Sequence, residues 1–209
     1  MNDGALRLVA VTDALRGGID ELARRAAAVV TGGATLLTIR LPDEAPRVLA
    51  DAARAVRAAA PSVPLLVSDR VDVALAVDAD GVHLGGGGLP VSVVRRIVPE
   101  RWLIGASVGA MDEVPCAAGA DFVAIGPVFS SSSATLHDDR VAMGIERFTE
   151  LARACALPAV AVGGVSPATA AELVRAGATG VAVISPLFGA ADPMRAARAL
   201  RDVLDASGR

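Results

Sequence analysis

Short apolar runs alternate with amphipathic, alanine-rich stretches along nearly the whole chain. The runs are rich in valine, leucine, isoleucine and alanine, and they lack the polar alternation of a half-exposed strand, which is typical of parallel strands buried on both faces. Eight such strands are predicted, at 7–11, 36–39, 65–67, 81–84, 102–105, 122–126, 157–162 and 180–184.

The stretches between these runs have helical spacing. Within 19–31, for example, Ile19, Leu22, Ala23, Ala26 and Val30 share one face. Helices are predicted at 19–31, 44–60, 70–78, 90–98, 111–118, 145–155, 167–176 and 192–206. Eight β/α units favour one domain over 1–209, a (β/α)8 TIM barrel of the α/β class, with its functional site at the carboxyl ends of the strands.

The seventh strand ends in a pattern that suits an anion. It stops at Gly163 and Gly164, and a helix start follows with Ser166 as N-cap and Pro167 as the first helical residue. Strand eight ends at Ile184-Ser185. Because barrels of this type commonly bind phosphate on the loops after strands seven and eight, Gly163, Gly164, Ile184 and Ser185 are predicted to hold a phosphate.

Composition and charge restrict the partners and the location expected for this protein. A net charge of −3 gives no electrostatic case for nucleic acid or an anionic membrane as partner, and no apolar run approaches the length of a transmembrane helix. The N-terminus shows no signal-peptide pattern, so we expect a cytoplasmic protein. Cys116 and Cys155 lie far apart and form no metal or redox spacing.

Two absent residue types restrict the chemistry further. The chain has no lysine, so Schiff-base catalysis is excluded. It also has no tyrosine, which leaves His83, His137 and the carboxylates as candidates for proton transfer. His83, at the end of strand four, is either an acid/base or a structural histidine. His137, in the long loop after strand six, either folds over a substrate or is an exposed loop residue.

Three further strand ends carry polar residues. Arg40 follows strand two and is interpreted as an anion-binding group, with a structural ion pair as the alternative. Asp69 follows strand three and either retains weak metal affinity or caps the next helix. Ser107 follows strand five and is expected to line the pocket.

With the strand ends identified, several motifs together resemble the thiamine phosphate synthase/TenI family over nearly the whole chain. They are Val-Thr-Asp at 11–13, Ser-Asp-Arg-Val-Asp-Val-Ala at 68–74, Ala-Asp-Gly-Val-His-Leu-Gly at 79–85, Gly-Ala-Asp-Phe-Val-Ala-Ile-Gly-Pro-Val-Phe at 119–129 and Ala-Val-Gly-Gly-Val at 161–165.

The resemblance implies two activities. The synthase branch joins a pyrimidine diphosphate to a thiazole phosphate and releases pyrophosphate with Mg²⁺, which requires cations around the leaving diphosphate. In that branch strand two resembles Arg-Glu-Lys, whereas here it reads Arg40-Leu41-Pro42. The acidic magnesium ligand usual after strand four is replaced by glycine at 85–88, and the usual Asn-Asp after strand three is Ser68-Asp69.

The loop after strand six also departs from the synthase pattern. Its usual Thr-x-Thr-Lys is replaced by Ser131 and Ser133, which we expect to contact the ligand, and by Ala134 in place of the lysine. These losses at one subsite predict a poor synthase, because each lost electrostatic group raises the barrier.

The phosphate end, in contrast, is retained, as in the TenI branch, a thiazole tautomerase that needs no metal. The histidine of that branch after strand five is absent, since this chain reads Ser107-Val108-Gly109. The leading interpretation is therefore a tautomerase-like isomerase without cofactor, in which His83 or His137 moves the proton and Arg40 binds a substrate carboxylate. The alternatives are a synthase that uses Arg40 and Asp69 with Mg²⁺, and a non-catalytic thiazole phosphate-binding protein. Relatives with this barrel often pair, which makes a homodimer possible.

Overall fold

The computed structural model describes residues 3–12, 14–130 and 141–207, and eight parallel strands in it form a closed barrel. Each strand pairs with the next along the chain, and β8 pairs with β1. The strands are β1 (Leu8–Val11), β2 (Leu36–Ile39), β3 (Leu65–Ser68), β4 (Gly81–Leu84), β5 (Leu103–Val108), β6 (Phe122–Ile125), β7 (Ala159–Val162) and β8 (Gly180–Val183). The predicted (β/α)8 barrel is confirmed.

Helices surround the barrel. They are α1 (Gly18–Thr31), α2 (Pro46–Ala59), α3 (Val71–Ala76), α4 (Val91–Val94), α5 (Gly144–Cys155), α6 (Pro167–Arg175), α7 (Ser185–Phe188) and α8 (Pro193–Ser207). Two 3₁₀ segments, Asp3–Leu6 and Met111–Ala117, complete the described elements. No helix in the described ranges is long and apolar enough to cross a bilayer.

Several predicted boundaries were wrong for local reasons. The predicted helix 90–98 shortens to Val91–Val94, a segment with three β-branched valines, which favour helix weakly. The predicted helix 111–118 is 3₁₀, with Pro115 inside it, where it cannot donate an α-helical hydrogen bond. The predicted strand 102–105 instead continues to Val108, because residues up to Val108 pair with β6. The short helix α7 was not predicted.

Side-chain alternation along the strands divides the interior into two layers. Inside the barrel, the amino-terminal part is filled by apolar residues that include Leu36, Leu66, Phe122 and Val160, each buried to within 1% of full burial. A larger apolar layer lies between the strands and the helices. The packed lower interior leaves space only at the carboxyl ends of the strands, where polar residues take the inward positions.

Hydrogen bonds at the amino-terminal end join the strands in pairs. The Thr35 hydroxyl accepts the Leu8 N–H at 3.0 Å and donates to the Leu8 carbonyl at 3.1 Å. One carboxylate oxygen of Asp80 accepts the Leu65 N–H at 2.8 Å, and Asp121 accepts the Ile104 N–H at 2.7 Å. Thr35, Asp80 and Asp121 directly precede β2, β4 and β6, and they bond backbone groups of β1, β3 and β5. These bonds stabilise the strand register at the end of the barrel opposite the cavity.

Candidate functional site

A cavity of about 370 Å³ opens at the carboxyl ends of the strands, and its two walls differ in polarity. The wall made by β2 to β5 and the residues that follow them carries the polar side chains Thr38, Arg40, Ser68, Asp69, His83 and Ser107. The wall made by β6 to β8 and β1 carries Val9, Val11, Phe122, Ala124, Val160, Val162, Ala182 and Ile184. Such a cavity can hold a flat ring against one side and bind charged groups on the other.

Arg40 is the cationic residue of this cavity within the described parts of the chain. It follows β2 directly, at a position where the backbone is held by Thr12. The Thr12 hydroxyl accepts the Arg40 N–H at 2.9 Å and donates to the Arg40 carbonyl at 3.0 Å. Arg40 therefore lies in the cavity wall at the end of β2, and its anion-binding role stays a prediction.

Asp69 is the carboxylate of the cavity wall among the described residues, and its backbone is unusual. It has a φ of 60°, which is uncommon outside glycine and is found at turns and functional sites. Its carboxylate accepts the Gly85 N–H at 2.7 Å and the Ser68 hydroxyl at 3.2 Å. The alternative of a helix cap was wrong, because this carboxylate bonds the loop after β4, and the N-terminus of α3 has no side-chain cap.

The glycine loop packs on Asp69. A Cβ atom on Gly85 or Gly88 would lie 3.2 or 3.1 Å from Asp69 Oδ1, and the Gly88 N–H donates to the Gly85 carbonyl at 2.9 Å. The glycines that stand in place of the usual acidic ligand after β4 thus leave little free space beside Asp69. The glycines also allow the loop backbone to approach the carboxylate closely.

His83 lies deep in the cavity, with its Nε2 atom 2.9 Å from the Ser107 hydroxyl oxygen. Its ring centroid lies 5.8 Å from that of Phe122. Burial lowers the pKa of His83 to about 4, and the negative charge of Asp69 offsets this effect only in part. The imidazole is therefore neutral near pH 7, where it can share one hydrogen bond with Ser107 but cannot supply positive charge.

The predicted phosphate residues divide into two groups. Ile184 lines the cavity, whereas Gly163, Gly164 and Ser185 are not part of its lining. Gly163 and Gly164 have φ values of 93° and 62°, and the segment after β6 packs closely over them. A Cβ atom on Gly163 would lie 2.6 Å from Pro127 Cβ, and one on Gly164 would lie 2.5 Å from Phe129 Cβ.

The backbone N–H groups of this turn differ in their hydrogen bonding from those at the start of α6. Within the described ranges, the N–H groups of Gly163 and Gly164 have no backbone acceptor. The predicted N-cap is confirmed, since Ser166 and Thr169 form a reciprocal capping box in which Thr169 Oγ1 accepts the Ser166 N–H at 2.9 Å. Because these side chains already bond the start of α6, the predicted phosphate donors of this segment are the glycine amides, and their role stays a prediction.

Four predicted or motif residues, Asp13, Ser131, Ser133 and His137, lie outside the described residues. Sequence reasoning also missed two residues. Thr12 is 1% exposed and bonds Arg40, and Thr38 is 3% exposed and lines the cavity. A threonine inside the otherwise apolar run Leu36–Ile39 was a signal for an inward-facing polar group, since alternate residues of a barrel strand face the interior.

The side chains of this cavity fit a Mg²⁺ ion only if substrate phosphates supply some of its ligands. Within the described residues no three His, Cys, Asp or Glu side chains form a metal-binding group. Mg²⁺, however, is commonly held by one or two carboxylates together with substrate phosphates. Asp69 could supply the protein ligand for an ion that arrives with a diphosphate.

The fold and the cavity define an α/β-barrel protein with a partly polar cavity at the carboxyl ends of its strands. Comparison with known proteins makes this class more specific. The family model described as thiamine monophosphate synthase matches residues 8–187. The chain therefore belongs to the thiamine phosphate synthase/TenI family, as its motifs predicted.

Relatives with sequence and structural similarity agree. The chain is 43% identical over 198 residues to a thiamine-phosphate synthase of Roseiflexus castenholzii, covering 92% of this chain and 86% of the relative. It is 45% identical over 191 residues to one of Methanoculleus marisnigri, covering 90% and 88%. The solved structure of thiamine phosphate pyrophosphorylase from Pyrococcus furiosus matches with a TM-score of 0.85 and 32% identity over 98% of both chains. These names favour the synthase interpretation over the isomerase interpretation.

Proposed function

We propose that this protein is a thiamine phosphate synthase, which joins a pyrimidine diphosphate to a thiazole phosphate and releases pyrophosphate. The observation that carries the proposal is the presence of a cation, Arg40, and a carboxylate, Asp69, on one wall of the cavity. The synthase names of relatives that are 40–45% identical supply the reaction. The synthase was the alternative at the sequence level, and it now replaces the isomerase as the leading hypothesis.

Arg40 has the central electrostatic role. As the bond between the pyrimidine methylene carbon and the diphosphate oxygen breaks, negative charge collects on the departing diphosphate. A guanidinium group binds such oxygens in a bidentate manner and remains charged at every physiological pH. Thr12 holds the Arg40 backbone at both its N–H and its carbonyl, so the side chain leaves the backbone from a fixed point.

Asp69 would hold Mg²⁺ at the same wall. When bound, the ion supplies further neutralisation of the leaving diphosphate. The left-handed backbone of Asp69 and the hydrogen bond from Gly85 fix the carboxylate at the cavity mouth before the substrate arrives. Because the carboxylate is already in place, little free energy is spent on moving it during the reaction.

The remaining groups orient the substrates. The neutral His83–Ser107 pair offers hydrogen bonds to a ring heteroatom or a phosphate oxygen without adding charge. The opposite wall, with Val9, Val160 and Ile184, packs against ring faces and excludes water from the carbon that loses the diphosphate. The thiazole phosphate would bind at the amides of Gly163 and Gly164 and at Ile184 and Ser185.

We expect a slow enzyme, because this wall has few cations. Leu41 and Pro42 stand where the synthase pattern has glutamate and lysine, and Ala134 stands where it has a second lysine. Removal of one preorganised electrostatic donor commonly costs about 10²–10³ in turnover. A low rate is therefore the expected result of the residue set, rather than evidence against the reaction.

The test is pyrophosphate release by the full chain in the presence of both substrates and Mg²⁺. We expect release only when both substrates are present, and a loss of about a hundredfold in Arg40→Ala. Arg54→Ala is the matched control, since Arg54 lies on the exposed face of α2 and pairs with Asp51. Isomerisation of a thiazole carboxylate phosphate without pyrophosphate release, or ligand binding without any turnover, would overturn the proposal.

A further inference from the structure

We infer that Thr12 is a positioning residue for the anion site, which acts by fixing the backbone from which the Arg40 side chain enters the cavity. The inference rests on the proposed role of Arg40 in binding the diphosphate. It assigns a function to a buried side chain that does not line the cavity and that no pattern of charges along the chain would single out.

The Thr12 side chain bonds both backbone polar groups of Arg40. Thr12 lies just beyond β1, and its hydroxyl accepts the Arg40 N–H at 2.9 Å while donating to the Arg40 carbonyl at 3.0 Å. The Thr12 N–H also donates to the Thr38 carbonyl at 3.0 Å. With 1% of its surface exposed, Thr12 makes these bonds away from competing water. The exit of the chain from β2 is thus held on both sides of the Arg40 Cα atom.

The residues after Arg40 restrict the backbone from the other direction. Leu41 is 4% exposed and packs in the core, and Pro42 restricts the residue before it to extended conformations. Arg40 therefore lies between a hydrogen-bonded segment and a sterically restricted one. Because this is the one cationic side chain that lines the described cavity, a small displacement of its Cα atom changes the charge available to an anion.

The chain contains a matched control at the opposite end of the same strand pair. Thr35 makes the same reciprocal bonds with Leu8, at 3.0 Å from the Leu8 N–H and 3.1 Å to the Leu8 carbonyl. It lies five residues before Arg40 along β2, which is about 16 Å along an extended strand. Loss of the Thr35 hydroxyl removes the same kind of interaction between β1 and β2 without touching the anion site.

The experiment measures the dissociation constant for inorganic pyrophosphate with Mg²⁺, together with the denaturant midpoint, for single and double variants of the full chain. We expect Thr12→Val to weaken pyrophosphate binding about fivefold or more, a coupling of ordinary size for residues in direct contact. Thr12→Ser, which keeps the hydroxyl, restores the affinity. Thr35→Val lowers the denaturant midpoint and leaves the affinity unchanged. In the Arg40→Ala background, Thr12→Val has no further effect on affinity.

Each contrary outcome has a distinct meaning. If Arg40→Ala weakens binding but Thr12→Val does not, or if Thr12→Val weakens it equally without Arg40, this inference is overturned and the proposed function stands. If Arg40→Ala leaves pyrophosphate binding unchanged, the proposed role of Arg40 falls and this inference falls with it. Thr12→Ala removes the same hydroxyl without placing a second methyl group in a buried site, and it provides the test if Thr12→Val does not fold.

Discussion

The Nε2 atom of His83 lies 2.9 Å from the Ser107 hydroxyl oxygen, across the neighbouring strands β4 and β5. Both residues line the polar wall of the cavity together with Asp69, and the His83 ring lies near that of Phe122. It is held in a poorly hydrated place where a charged imidazole is disfavoured, and burial lowers the pKa of His83 to about 4. His83 is therefore a neutral hydrogen-bonding group near pH 7, and its burial makes the free energy of unfolding depend on pH.

The first prediction concerns stability against pH. The His83 pKa in the folded protein lies below its ordinary value of 6.5, so the unfolded chain binds a proton over a range in which the folded protein does not. Above pH 6.5 His83 is neutral in both states and the protein has its full stability with respect to this residue. As the pH falls from 6.5 towards 4, the free energy of unfolding decreases by roughly 2–3 kcal/mol. Denaturant titrations at pH 7, 6, 5 and 4.5 measure this slope.

His83→Gln provides the comparison, because it keeps a hydrogen-bonding group but cannot titrate. The difference in unfolding free energy between the two proteins should shrink or reverse as the pH falls, since every other titratable group is shared. A constant difference from pH 7 to pH 4.5 would show that His83 is not the group responsible.

The second prediction concerns Gly105, which lies under the His83 ring. A Cβ atom at this position would lie 2.5 Å from His83 Nδ1 and would overlap the Phe122 ring. Gly105→Ala should therefore destabilise the protein by about 1–3 kcal/mol and displace His83 from Ser107. Gly87→Ala is the control, because a Cβ atom there meets nothing within 4 Å. Equal unfolding midpoints for the two variants would contradict the packing described for the floor of the cavity.

The third prediction restores charge to the diphosphate wall. Pro42→Lys places a cation two residues after Arg40, at the position of the lysine in the synthase pattern. We expect the rate of pyrophosphate release to rise by about tenfold, because one more cation stabilises the leaving diphosphate. Pro42→Gln relaxes the backbone in the same way without adding charge, and it should give no increase. An equal gain in both variants would assign the effect to the backbone.

The fourth prediction concerns the hydrogen bonds that join strands at the opposite end of the barrel. Asp121 accepts the Ile104 N–H at 2.7 Å and pairs with Arg95 at 2.8 Å. Asp121→Ala leaves both donors without this acceptor and should lower the free energy of unfolding by about 1–3 kcal/mol. Asp51→Ala removes an exposed pair with Arg54 and should cost less than about 1 kcal/mol. Catalytic rates measured well below either unfolding midpoint should not change.

The barrel was predictable because its signals are local. The bounds of β2 and β4 agree with the prediction to the residue, since each is a short apolar run next to a turn signal. The N-cap at Ser166 was equally visible, as a serine followed by a proline, although its reciprocal bond with Thr169 was not predicted. Family membership followed from motifs that occur in order at the strand ends, and it too was confirmed.

The cavity was less predictable because it depends on contacts between distant strands. The inward direction of Thr38 and the reciprocal bonds of Thr12 with Arg40 follow from the β1–β2 register, which spans about 27 residues of sequence. The bond from Gly85 to Asp69 depends on the left-handed backbone of Asp69. Arg40, Asp69, His83, Ser107 and Ile184 nevertheless line one cavity, because the carboxyl ends of parallel strands always meet.

The most direct measurement is mass spectrometry of the reaction mixture after incubation of the full chain with a pyrimidine diphosphate, a thiazole phosphate and Mg²⁺. We predict thiamine phosphate in amounts equal to the pyrophosphate released, with both products greatly reduced in Arg40→Ala. Unchanged substrates in the presence of bound thiazole phosphate, or an isomerised thiazole as the only product, would contradict it.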